Sequence, residues 1–166
     1  MVHDALAREL IEMTEEDRRL QPGALLDDVA AQLAHRRVTV RNGDRLAEII
    51  DEHGWPTTEL VGQEAARRAW LIAQHADRQL HLQRRALALM TEAVHAGIGD
   101  TAQLAMLRDR VLVNEGRPQI YGTQIAGIVN GAPVPWPCED PERMDERRAQ
   151  VGLDPFAVHI AKNAPA

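Results

Sequence analysis

Apolar residues recur at helical spacing along most of the chain. Leu6, Leu10, Met13 and Leu20 mark a first amphipathic helix over residues 3–20, which Pro22-Gly23 is expected to break. Leu25, Val29 and Leu33 give a second helix over 24–36. The β-prone run Val38-Thr39-Val40 is too short for a lasting strand and reads as a linker. Asn42 or Asp44 is placed to cap a third helix, with Leu46, Ile49 and Ile50 as its buried stripe and Gly54-Trp55-Pro56 as its end. Thr57 or Thr58 then caps a central helix over about 59–76. Further helices are expected over about 79–96, ending at Gly97, and from a Thr101 cap to near Gly116.

Beyond Gly116 the pattern changes period. Pro118 blocks helix continuation, and residues 119–129 are rich in β-formers. Asn130-Gly131 is a two-residue hairpin signal. The return segment carries Pro133, Pro135 and Pro137, so it is expected at a sheet edge. Asp140-Pro141 opens a charged helix to about Gln150 that Gly152 ends, and a short C-terminal turn or helix is expected to follow. The expected fold is mostly α (α+β): a helical bundle of six to eight helices with one C-terminal β-hairpin. The expected organisation is a single domain over 1–166, with 1–41 as a helical N-terminal extension of a core over 42–160.

Composition narrows the function classes. The 166 residues are 45% hydrophobic and 27% charged, which suits one folded domain. Aromatics make up only 3%, so the core must rest on aliphatic side chains, and the single Tyr stands out. A net charge of −6 argues against a nucleic-acid partner. The pairs Arg67-Arg68 and Arg84-Arg85 read as solvated helix faces. One cysteine, Cys138, leaves no intrachain disulfide and no thiolate metal site. There is no signal-peptide pattern and no long apolar run, so the expected location is the cytoplasm, away from the membrane.

Two segments carry polar chemistry that core packing does not require. In Gln74-His75-Ala76-Asp77, His75 is a candidate acid/base group and Asp77 the carboxylate that would orient it, provided the helix ends near Ala76. The alternative is that Asp77 caps the next helix and His75 packs or faces water. In Gln119-Ile120-Tyr121-Gly122-Thr123-Gln124, Tyr121 is a candidate acid or carbonyl-polarising donor, and Gly122 would let a ligand or another backbone approach. A packed hairpin with satisfied polar groups is the alternative there. Arg110, beside Asp109, is placed to hold an anionic group or to form a structural ion pair. No His-Glu-x-x-His pattern occurs, and a set such as His75, Asp77 and His81 is not specified by spacing, so no metal and no cofactor is expected.

The ordered blocks His53-Gly54-Trp55-Pro56, Ala69-Trp70-Leu71, Gln74-His75-Ala76-Asp77, Asp109-Arg110-Val111-Leu112-Val113, Gln119, Tyr121-Gly122-Thr123-Gln124 and Glu139-Asp140-Pro141 resemble the bacterial family known as domain of unknown function 6624, over roughly residues 42–160. The resemblance implies that the His-Ala-Asp and Tyr-Gly-Thr-Gln blocks belong to a shared pattern. Family members often follow His-Ala-Asp with Asp-Pro, where this chain has Gln79-Leu80. The resemblance implies no particular activity.

The resulting expectation is a small, cofactor-independent enzyme with His75, Asp77 and Tyr121 as catalytic residues. Arg110, Gln124, Gln119, Trp70 and His53 would bind substrate. Hydrolysis, cyclisation or elimination at a carbonyl or amide of a small molecule or peptide suits those groups. The other reading is a non-catalytic module that binds a polar ligand or peptide.

Overall fold

The computed structural model describes residues 2–165. They fold into eight α-helices, one short 3-10 helix and a two-stranded antiparallel sheet. The expected class, mostly helical with a C-terminal hairpin, is what the chain adopts. Its contacts group into two compact units, residues 1–99 and 100–166.

The first unit is built from α1 (Asp4–Ala24), α2 (Val29–His53), α3 (Thr58–Val61), α4 (Gln63–His75) and α5 (Leu80–His95). Helices α1, α2 and α4 pack against one another, and α5 packs on α4. Leu6 and Leu10 of α1, Leu46 and Ile49 of α2, Ala69 and Ile72 of α4, and Leu82 and Ala86 of α5 are almost fully buried. Each large aliphatic side chain among them contributes roughly 1.5–3 kcal/mol.

Four local expectations change. Pro22 lies inside the last turn of α1 and does not end it, because a proline near the C-terminus forfeits only one bond of the helical ladder. Val38-Thr39-Val40 is not a linker: α2 runs unbroken through it, and Asn42 and Asp44 are interior. Burial of Val38 and Thr39 against the core outweighs their β-preference. Asp28 caps this helix instead, accepting from the amides of Ala30 and Ala31. The expected core stripe is exposed: Val29 and Leu33 because α2 is turned by Val38, Leu46 and Ile49, and Leu25 because it lies in the turn that follows α1.

Other boundaries follow the turn chemistry. Gly54 closes α2 at φ +77°, and the Thr57 side chain caps α3 by accepting from Leu60 N. Gly62 separates α3 from α4, so the central helix is two pieces.

The second unit holds α6 (Thr101–Asn114), β1 (Ile125–Val129), β2 (Ala132–Pro135), a 3-10 turn (Pro141–Arg143), α7 (Met144–Gln150) and α8 (Phe156–Asn163). Asp100 rather than Thr101 caps α6, accepting from Gln103 N. The hairpin turns at Asn130-Gly131, both at positive φ, with Val129 opposite Ala132. The first strand is shorter than expected. Residues 119–124 form an irregular segment tied to Pro137–Glu139 by the bonds Gln119 N to Pro137 O and Glu139 N to Gln119 O. Pro118 and the positive-φ Gly122 are incompatible with a regular ladder there. Ile128, Val129, Val134 and Trp136 of the hairpin region are exposed. Among the described residues no helix is long and apolar enough to cross a membrane.

Candidate functional site

The buried stripe of α1 starts as Leu6 and Leu10 and ends as Thr14 and Asp17. This places a carboxylate on the face that packs into the unit. Asp17 is 1% exposed. His35 of α2 brings Nε2 to 2.6 Å from its Oδ1, and His75, the last residue of α4, brings Nδ1 to its Oδ2. The two imidazoles meet edge to face, with centroids 6.4 Å apart. Each is about one-fifth exposed, so the cluster has a buried floor and a partly open rim.

Burial alone would push the Asp17 carboxyl up. The hydrogen bonds and charges of His75, and then of His35, outweigh it and hold the group below the ordinary carboxylate range. An ionised carboxylate only accepts, so both facing nitrogens carry protons: His75 donates from Nδ1 and His35 from Nε2. This fixes the tautomer of the neutral rings. The lone pair of His75 is then on Nε2, and that of His35 on Nδ1.

Beside the cluster, Arg68 is buried rather than on a solvated face. It donates to Thr14 Oγ1 at 3.1 Å and pairs with Glu64 at 2.7 Å and Glu15 at 3.0 Å. Asp77, expected to orient His75, accepts from Gln83 Nε2 at 3.3 Å. Trp70 lies partly buried on α4, and His53 is exposed at the end of α2, with its ring 5.3 Å from that of His3.

The other expected residues belong to the second unit, where Asp109 organises them. Asp109 is fully buried on α6. Its carboxylate accepts from Ile120 N at 2.8 Å, Tyr121 N at 3.1 Å, Thr123 N at 3.0 Å and Thr123 Oγ1 at 2.8 Å. Arg148 Nη1 donates to Tyr121 O and Arg147 Nε to Ile120 O. The ring of His159 donates to Thr123 O at 3.1 Å.

Gln119 is fully buried. It accepts from Gln124 N and donates to Gln124 O and Trp136 O, so its amide acts as a strut across the segment. Gln124 accepts from Arg110 Nη1 at 3.0 Å and donates to Thr123 Oγ1. Gly122 does admit a close neighbour, but a protein one: a Cβ there would lie 2.3 Å from Met144 Sδ and 3.3 Å from the Phe156 ring.

The expected residues thus divide between the two units: His75, Asp77, Trp70 and His53 lie in the first, with His53 at the far end of α2 from the His35 that meets His75, and Tyr121, Arg110, Gln119 and Gln124 lie in the second. Sequence reasoning missed Asp17 and His35. The available signal was positional, because Asp17 stands seven residues beyond Leu10 on the same stripe of α1.

The chain belongs to the family of unknown function DUF6624, whose model matches residues 4–164. The match takes in α1 and with it Asp17, beyond the 42–160 span that the residue blocks suggest. No curated protein and no solved structure matches the chain.

Proposed function

We propose that the protein is a small enzyme that works by histidine acid/base chemistry at a carbonyl or amide, with His75 as the proton-transfer group. The observation that carries this reading is the buried Asp17 carboxylate held by two imidazoles. Asp17 takes the orienting part that the sequence assigned to Asp77. It fixes the His75 ring through Nδ1 and stabilises the imidazolium that forms when Nε2 accepts a proton. His35, on the other oxygen, supplies a second imidazole to the same charge. Such a group draws a proton from water or from a substrate N–H or C–H and returns it to the leaving group, which suits hydrolysis, cyclisation or elimination. A peptide or secondary metabolite in the cytoplasm is the proposed substrate class.

The test is a panel of esters, amides, lactones and short peptides incubated with wild type, His75→Gln and Asp17→Asn, with products followed by mass spectrometry. Turnover that falls about 100-fold or more in both folded variants supports the reading. Equal turnover by wild type and His75→Gln overturns it.

A binding module is the second reading, favoured by the exposed Ile128, Val129, Val134 and Trp136 of the hairpin region. A ligand that binds and is recovered unchanged supports that reading.

A further inference from the structure

We infer that Asp17, His35 and His75 form a binding site for one divalent transition-metal ion of the zinc type. One ligand atom from each of the three side chains lies within 4.8 Å of the other two. Zinc bound at about 2.0–2.2 Å separates tetrahedral ligand atoms by roughly 3.3–3.6 Å. Closing the trio around an ion therefore asks for side-chain shifts of about 1 Å, while the helices stay in place.

The chemistry of the donors selects the ion. Two imidazoles and one carboxylate suit zinc, cobalt or iron(II), whereas calcium and magnesium prefer all-oxygen shells. The three ligands come from α1, α2 and α4, three packed helices, so the framework is rigid before an ion arrives. Asp17 is buried at the floor, and both imidazoles keep an exposed edge. Three protein ligands with an open side leave a position for water, the arrangement of a reactive zinc site rather than a closed structural one. On binding, each neutral ring changes tautomer: the proton now donated to Asp17 passes by way of water to His35 Nδ1 or His75 Nε2, and His35 Nε2 and His75 Nδ1 turn their freed lone pairs to the ion.

The inference uses the same side chains as the proposed function but concerns binding alone. Failure to bind an ion leaves acid/base turnover by the metal-free protein standing, and loss of turnover leaves the ion site standing.

The full chain, freed of metal with a chelator, is titrated with Zn2+ by calorimetry and with Co2+ by visible absorption. The expected result is one ion per chain, a Co2+ spectrum of low coordination number, and a raised melting temperature. Asp17→Asn, His35→Gln and His75→Gln, each shown by circular dichroism to be folded, weaken binding by about tenfold or more. His3→Ala, which removes the other close imidazole pair with His53, leaves it unchanged. Binding no tighter in wild type than in Asp17→Asn, or binding lost in His3→Ala, overturns the inference. If one of the three variants misfolds, the remaining two decide.

Discussion

Asp17 and His75 stand 58 positions apart in the chain, and their side chains meet as a hydrogen-bonded pair inside the first unit. The pair joins the buried face of α1 to the C-terminal residue of α4, with His35 of α2 on the remaining oxygen. A carboxylate at 1% exposure persists only with such partners, since an unpaired buried charge is strongly disfavoured. The same partners that keep Asp17 ionised define the tautomers of both rings.

The Tyr-Gly-Thr-Gln segment depends on Asp109 in the same way. Asp109→Ala removes the acceptor of three backbone amides and one hydroxyl. Hydrogen bonds to a charged group are worth about 1.5–3 kcal/mol each, and their loss is only partly additive. The expected destabilisation is about 3 kcal/mol or more by denaturant titration, together with faster amide exchange at residues 120–123. Unchanged exchange there would show that the segment is held by other means.

Gly122 is expected to tolerate no side chain. It sits at φ +65°, and an added Cβ would overlap Met144 Sδ. Gly122→Ala should cost more than about 1 kcal/mol from backbone strain alone. Adding Met144→Ala should recover the packing part of the loss but not the backbone part. A double variant as destabilised as the sum of the single variants would contradict this coupling.

His159 gives the second unit a pH dependence of known sign. Burial, and then the nearby Arg148 charge, push its imidazole below the ordinary 6.5 despite the bond to Thr123 O. The folded chain therefore binds this proton less readily than the unfolded chain. The stability that neutral His159 contributes is complete above about pH 6.5 and is lost as pH falls toward the folded value. Denaturation from pH 8 to 5 should show wild type declining more steeply below 6.5 than His159→Gln. Parallel curves would contradict the assignment.

Much of the fold was legible wherever one local rule decided the outcome. Asn130-Gly131 fixed the hairpin, Gly54 the end of α2 and Thr57 the cap of α3. Legibility failed where tertiary burial overrode local preference. Val38-Thr39-Val40 is helical because its neighbours pack, Val29 and Leu33 are exposed because α2 presents a different face to the core, and Leu25 lies in the turn between α1 and α2.

The candidate site was half legible. His75 stood out by chemistry, and Asp77 was the nearest carboxylate in sequence. Asp17 was hidden because an acid among Glu15, Glu16, Arg18 and Arg19 reads as solvated surface until α1 is packed. The polar residues around Tyr121 were legible as a block, but their buried partners Asp109 and Arg148 are what give the block its shape.

Asp17 is the carboxylate placed to fix His75. Nitrogen-labelled, chelator-treated protein tests it by NMR of the imidazole protons and ring nitrogens. His75 is expected to carry its proton on Nδ1, in a strongly downfield, slowly exchanging signal. That signal disappears in Asp17→Asn and survives in folded Asp77→Asn. A His75 protonated on Nε2 and not on Nδ1, or a signal that survives Asp17→Asn and vanishes with Asp77→Asn, would contradict it.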